Sequence, residues 1–332
     1  MSANTRTSNR VVCFGELLLR LSPPGSERFF QTPQLRTWFG GSEANVAVGL
    51  VHLGTPSEYV TCLPPNAIGE AALAALRAEG VETAHIARGG NRLGIYFVES
   101  GAELRPMRVV YDRAGSAISE MEPDAIAWSD ALAGSAWLHL SGITPALSER
   151  AAASTLAARD AARAANVPVS VDLNYRPALW GARDPRPAVH PLADGCDTLI
   201  ANPGAVKAML GIEGSSPRDV AERVADAFGC RLVALTSREV HSASDHGWST
   251  SLFDAATGTL HQSRAYRVRV VDRVGGGDSF AAGLIHALLG GRAPDAALEF
   301  ATAASALKLT IPGDFNRVTA AEVDHLLATM QG

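Results

Sequence analysis

Most of what would send a chain to a membrane, to nucleic acid or to an oxidising compartment is missing here. No apolar run is long enough to span a bilayer. There is no basic excess: the formal net charge is −5, which argues against a nucleic-acid partner. Cysteine is sparse. Cys13, Cys62, Cys196 and Cys230 are scattered and form no C-x-x-C, so buried free thiols in a reducing cytoplasm are expected. Residues 1–10 are polar and lack an apolar core. No secretory signal is therefore expected, and 1–10 reads as a disordered N-terminus ahead of one domain, 11–332. No G-x-G-x-x-G follows the first apolar run, which argues against a dehydrogenase. Internal repeats and low-complexity linkers are also lacking.

What remains is an ordinary globular composition, 47% hydrophobic and 19% charged, over 332 residues. That is ample chain for a core. Short apolar runs at 11–16, 57–62, 136–140, 167–173, 198–201 and 232–236 read as strands. Amphipathic, alanine-rich stretches between them read as helices at 148–165, 205–210 and 217–228, and two more follow at 295–309 and 320–330. This alternation implies βαβ units and a parallel sheet, an α/β fold. Two alternating runs, 93–99 and 107–111, flank Ser100-Gly101 and read as a hairpin of a small separate sheet. Another hairpin, 248–253 with 260–264, is expected at the far edge of the main sheet.

The segment Gly275-Gly276-Gly277-Asp278 follows a β-branched run and opens a helix. The first N–H groups of a helix have no partner within it, and its dipole is positive there. Glycines let those amides approach a ligand, so the segment is a candidate cradle for phosphate. It is not a Walker A loop, because no Gly-Lys-Ser/Thr follows. Asp278 has two readings. It could cap the helix, or it could be the general base that takes a proton from an attacking hydroxyl. A second diglycine, Gly40-Gly41, precedes a helix with Ser42 as the expected N-cap. Asn45 falls in its first turn, either as a ligand contact or as an exposed polar residue.

In parallel sheets ligands bind beyond the strands' carboxyl ends. Those ends carry Ser141-Gly142, Asp172 to Arg176, Asn202, Thr236 to Arg238, and Asp272 to Asp278. All are polar or glycine-rich, and together they favour one site.

These residues resemble the ribokinase/pfkB sugar-kinase family nearly end to end. Gly40-Gly41-x-x-Ala44-Asn45-x-Ala47 with Leu53-Gly54 looks like the family's sugar-site pattern. Asp272-x-x-Gly275-Gly276-Gly277-Asp278-x-Phe280-x-x-Gly283 looks like its anion-hole and base pattern. The resemblance implies a three-layer α/β/α domain with a small β-sheet lid drawn from about 17–39 and 92–113. It implies Asp278 as base, with Gly275, Gly276 and Gly277 supplying the anion hole. ATP would be the donor and Mg²⁺ would be held mostly by water and phosphate, with no direct protein ligation. Asn174, Asn202, Thr236, Arg238, Gly275 and Gly277 would face the nucleotide.

Five stretches resemble the 2-keto-3-deoxygluconate kinases of that family. They are Arg92-x-Gly94-x-Tyr96, Val109-x-Tyr111-x-Arg113-x-x-Ser116-Ala117, Ser141-Gly142-Ile143, Asp172-x-Asn174-Tyr175-Arg176-x-x-Leu179-Trp180, and Ile311 to Asn316. A sugar acid needs a guanidinium partner, and Arg113 and Arg176 are the candidates. Gly41, Asn45, Tyr96 and Tyr111 complete the expected sugar contacts, with Asp278 at the reacting hydroxyl. Arg20 stands five residues after Gly15, where neutral-sugar relatives usually carry an Asp. It is expected to disfavour a neutral polyol and tolerate an anion.

The chain also departs from the pattern. Asn202-Pro203-Gly204-Ala205 lacks the family's Asn-x-x-Glu glutamate, and Arg273-Val274 replaces its Thr pair. The first departure leaves metal handling open. The second leaves open a monovalent-cation site known in some relatives. A homo-oligomer, paired lid to lid, is expected by analogy alone. The rival readings are a neutral-sugar kinase and a catalytically weak sugar-acid sensor.

Overall fold

The computed structural model describes residues 9–330. The expected disordered segment falls mostly outside them. Arg10, which that segment included, is tied down: its guanidinium donates to Glu58 and to the carbonyls of Ala131 and Ala133.

The chain opens with β1 (Val11–Phe14), β2 (Leu18–Ser22), β3 (Arg36–Gly40) and α1 (Ser42–Leu53). Then come β4 (Ser57–Val60), β5 (Cys62–Leu63), α2 (Ala67–Ala78) and β6 (Ala87–Arg88). The lid hairpin is β7 (Gly94–Glu99) and β8 (Arg108–Asp112). Two short helices follow, α3 (Ala117–Glu120) and α4 (Trp128–Ala131). The regular α/β stretch is β9 (Trp137–Ser141), α5 (Glu149–Ala164), β10 (Val169–Asp172), α6 (Pro177–Trp180), α7 (Arg186–Ala193) and β11 (Thr198–Ala201). It continues through α8 (Pro203–Leu210), α9 (Pro217–Phe228) and β12 (Leu232–Val240). Three edge strands follow, β13 (Asp245–Asp254), β14 (Thr259–Gln262) and β15 (Tyr266–Arg269). The chain closes with α10 (Gly276–Leu289), α11 (Pro294–Lys308) and α12 (Ala320–Thr329).

Nine strands form the main sheet in the order β14-β13-β12-β11-β10-β9-β1-β4, with β15 also on β13. The run from β12 to β4 is parallel, and the β13 edge is antiparallel. Side chains alternate across it. Val12 and Phe14 join the core under α5, α8 and α9, whereas Val11 and Cys13 join the core under α1, α10 and α11. One sheet buried on both faces by helices is the three-layer α/β/α architecture. Local signals agree with it. Ser148 and Ser216 cap α5 and α9 through their hydroxyls, and Thr319 with Glu322 forms a capping box on α12.

The lid is a separate four-stranded sheet, β3-β2-β7-β8. β2 pairs with β7 in parallel, and both outer pairs are antiparallel.

Four local expectations are corrected. The strand expected at 57–62 breaks at Thr61, since β5 leaves β4 to pair with β6. The run before the triglycine ends at Arg269, and β12 extends to Val240, beyond the expected Thr236. Ser42 is the first residue of α1 and not its cap. Gly41 holds the cap position, where a Cβ would run into the Glu16 carbonyl oxygen.

Candidate active site

A cleft of about 680 Å³ lies between the sheet's carboxyl ends and the lid. Four of the five strand ends singled out above contribute to its lining, as do Tyr96, Tyr111 and Arg113 from the lid; Ser141 and Gly142 do not line it, and Ile143 does in their place.

Asp278 sits in the third position of α10, so it is not the cap. Gly275 is the cap, in the left-handed region at φ 83°, where a Cβ would collide with the Asp314 carbonyl oxygen. The cap reading of Asp278 is thereby overturned. Its carboxylate is freed for other contacts. Ser42 Oγ donates to Oδ1 at 2.9 Å, and Asn45 Nδ2 donates to Oδ2 at 2.7 Å. Asn174 Nδ2 in turn donates to Ser42 Oγ at 2.7 Å. Each carboxylate oxygen accepts one hydrogen bond and so keeps a second lone pair for another donor. Burial holds the Asp278 carboxyl above its ordinary value, opposed by Asn45 and Ser42. A proton acceptor with a raised affinity is better matched to a hydroxyl than an ordinary carboxylate is. Beside it, a Cβ on Gly277 would meet nothing. The N–H groups of Gly276, Gly277 and Asp278 are among the unpaired first donors of a helix.

Two further carboxylates share this end of the cleft, and sequence reasoning did not assign them. Glu43 is fully buried against Gly15, and its Oε1 accepts from Ser141 at 2.6 Å and Thr144 at 2.8 Å. Burial pushes it up to about 7, with Asp278 adding to the rise. Asp172 is likewise pushed up to about 7, by burial and then by Asp278. One Asp172 oxygen accepts the Asn174 amide at 3.0 Å. The acid cluster holds no group of three or more His, Cys, Asp or Glu arranged for a metal among the described residues.

The lid side is fully paired. Arg113 turns Nε and Nη2 onto Glu16, with Nε at 2.7 Å, and Ser116 donates to the other Glu16 oxygen at 2.6 Å. Nη1 of Arg113 is left for a ligand. Its guanidinium lies 5.3 Å from the Tyr111 ring centre, and Tyr111 stacks on Tyr96 at 5.9 Å. The Tyr96 hydroxyl donates to Asp314. Glu16 followed the first strand's glycine but matched no quoted pattern, so it went unassigned.

Arg20 departs from expectation. It is 1% exposed and does not line the cleft. Its Nη2 meets Asp272 at 2.8 Å, its Nη1 meets Asp314 at 2.9 Å, and Nε donates to Ser22 at 2.9 Å. Trp38 covers it, with the ring centre at 5.0 Å. Its charge is spent on two carboxylates beneath the lid and is not offered to a substrate.

The opposite side of the cleft is unpaired. Arg176, Arg238 and Arg273 all line it, and none has an acidic partner within ion-pair distance among the described residues. Arg273 is pushed down to about 10 by burial, then by Arg238 and Arg176. Arg238 is lowered by burial and by Arg176. All three are solvent-exposed at the cleft mouth, and like charges gathered there without acidic partners mark a place for an anion. Thr236 donates to the Ala201 carbonyl at 3.3 Å, and Asn202 accepts the Ala205 amide at 2.9 Å as the cap of α8. Both line the cleft beside these arginines. Arg273 was noticed in the sequence only as a departure from a pattern.

A mixed α/β body thus carries a β lid and, between them, a helix-start glycine turn closed by one aspartate. A profile of the pfkB family carbohydrate kinases matches residues 8–319. The chain belongs to that family. This kinase is 34% identical over 317 residues to a 2-dehydro-3-deoxygalactonokinase of Haloferax volcanii, covering 96% of both chains. It is 29% identical over 310 residues to a 2-dehydro-3-deoxygluconokinase of Thermoproteus tenax, covering 92% of this chain and 89% of that one. The crystal structure of a 2-dehydro-3-deoxygluconokinase of Thermotoga maritima superposes with a TM-score of 0.93 at 44% identity, covering 96% of this chain and 99% of that one. The protein is a sugar kinase, a phosphotransferase, of the ribokinase-like fold. No helix among the described residues is long and apolar enough to cross a membrane.

Proposed function

We propose that this kinase transfers the γ-phosphoryl group of ATP to the primary hydroxyl of 2-keto-3-deoxygluconate, giving the 6-phosphate. The observation that carries the reading is the shared cleft: a buried Asp278 beside free helix-start amides, with Arg176 unpaired and Arg113 on the lid. The relatives' names supply the substrate class.

Asp278 takes the hydroxyl proton as the oxygen attacks phosphorus. Ser42 and Asn45 fix its carboxylate, and Asn174 fixes Ser42. The amides of Gly275 to Asp278 receive the charge that develops on the transferred group. Arg238 and Arg273 neutralise the other phosphates, with Gly275, Gly277, Asn202 and Thr236 on the nucleotide side. Arg176 and Nη1 of Arg113 hold the substrate carboxylate, and Gly41, Tyr96 and Tyr111 enclose the sugar. The donor set suits a cation carried in on phosphate, because Asp172 and Glu43 are the acidic side chains there with an oxygen lacking a protein donor. Mg²⁺ so bound offsets phosphate charge. A lid-to-lid dimer belongs to the same proposal, since Val110 on β8, which alternates with the cleft-lining Tyr111, is exposed.

The test is ADP release with purified protein, ATP and Mg²⁺ on 2-keto-3-deoxygluconate, its galactonate epimer, fructose and ribose. Turnover on the keto-deoxy acids alone is expected. Turnover only on a neutral sugar would sink the sugar-acid reading. The Haloferax relative favours the galactonate epimer as the second acceptor, and the ratio of the two kcat/KM values decides between them.

A further inference from the structure

Beneath the anion-hole turn lies an ammonium that the transfer step above does not use. Lys308 closes α11 and is fully buried, at 0% exposure. A buried lysine without a carboxylate contact is uncommon. Its Nζ donates to two backbone carbonyls of the next loop, Gly313 O at 2.9 Å and Ile311 O at 3.1 Å. Its Cε lies 3.1 Å from where a Cβ on Gly275 would be. The lysine side chain therefore packs directly against the turn that presents the anion-hole amides, with its ammonium on the adjoining loop.

The same two loops are joined by Asp272. One carboxylate oxygen accepts the Val274 amide at 3.0 Å, and the other accepts the Gly313 amide at 3.1 Å and the Arg20 guanidinium at 2.8 Å. The 272–275 turn and the 311–314 loop thus form one platform. Its carboxylates are Asp272 and Asp314, and its cations are Arg20 and Lys308. Without Lys308 the platform has one excess negative charge and two inward carbonyls without a donor. That is the setting in which a loop would take up a cation from solution.

We propose that the Lys308 ammonium is a built-in cation that holds the anion-hole turn in its working geometry, so that this kinase turns over without an added monovalent cation. Lys308 is a positioning residue: it touches neither sugar nor phosphate and acts through Gly275. Asp272 and Asp278 face it and favour its charge, Arg20 and Arg317 oppose it, and burial brings it down to about 8. The charged form, and the platform with it, is lost as pH rises through that value.

The inference rests on the sugar-kinase reading, and the wild-type enzyme separates the two. No ADP release in any salt strikes the kinase reading, whereas release only with K⁺ strikes this one. Rates are measured at constant ionic strength in tetramethylammonium, Na⁺, K⁺ and NH₄⁺ chloride. The wild type is expected to show equal kcat in all four. Lys308→Met is expected to lose roughly 10–100-fold in kcat in tetramethylammonium, less than or equal to the loss of an oxyanion donor. KM for ATP and sugar should stay within about threefold, and K⁺ or NH₄⁺ should restore most of the rate. Wild-type activity that rises severalfold with K⁺ overturns the proposal, and this arm needs no variant to fold. So does a Lys308→Met enzyme as fast as wild type, or one equally slow in every salt. A merely structural lysine would lower the melting temperature without any cation-specific recovery of kcat.

Discussion

The two walls of the cleft handle charge in opposite ways. On the lid side Arg113, at the cleft, has Glu16, and Arg20, buried behind the lining, has Asp272 and Asp314. On the facing wall Arg176, Arg238 and Arg273 repel one another with no acidic partner within ion-pair distance among the described residues. Paired buried charges cost little further when the site fills, so they set geometry. Unpaired exposed like charges are a small standing repulsion, screened by solvent, that a polyanion relieves. One wall is therefore a finished frame, and the other is completed by its ligand. The difference predicts where each substitution will register.

The largest effect is expected at the junction of the walls. Asp278→Asn should lower kcat by roughly 10²–10⁴-fold while calorimetry still detects sugar binding. The wild-type acid limb of kcat should lie above the ordinary carboxylate range, because burial raises Asp278 and its ionised form is lost as pH falls through that raised value. A near-normal Asp278→Asn rate would remove Asp278 as base. On the paired wall, Arg20→Met strands two buried carboxylates and should cost about 3–5 kcal/mol in denaturant unfolding. An unchanged midpoint would show that this wall is not a frame. On the unpaired wall, Arg238→Ala and Arg273→Ala should each raise the KM for ATP about tenfold or more, with the sugar KM little changed. Arg176→Ala should act on the acid substrate instead, and Arg113→Ala less strongly, since only its Nη1 is free. An unchanged acid KM in both would sink the carboxylate assignment. The smallest effect has the opposite sign: Arg273→Ala should leave the ligand-free protein no less stable, or raise its stability by a few tenths of a kcal/mol, by relieving repulsion with Arg238. A clear loss would show that the arginines are held by something other than a missing anion.

The body of the fold was legible because its signals are local. Apolar runs of strand length and glycine stops need only a few neighbouring residues to be read, whereas the one serine cap read that way, Ser42, proved to be the first residue of α1. The triglycine turn was legible for the same reason, and Asp278 with Asn45 followed from position along two helices. What stayed hidden depends on residues far apart in the chain. Arg20 looked like a free guanidinium because Asp272 and Asp314 are some 250 and 294 residues away. Glu16 and Arg113 are 97 residues apart, and neither advertises the other. Asp278 was open to reading as a cap because nothing local shows that Gly275, left-handed and crowded by the 314 carbonyl, takes that place. Lys308 carried no motif, since its partners are backbone oxygens that any residue supplies.

The parallel pairing of β2 with β7 has a consequence for inheritance. The chain crosses from body to lid after β1, returns into α1, crosses again after β6 and returns into α3. Two antiparallel hairpins are stitched together across the whole α1–α2 unit, so the lid cannot form before that unit is folded. Nor can it be exchanged as a single cassette. A recombination event within one crossing would deliver half a lid whose central strand lacks its neighbour. The cleft-facing surface of the lid is then open to change by single substitutions on β7, on β8 and just after it, where Tyr96, Tyr111 and Arg113 stand, and not by swapping modules.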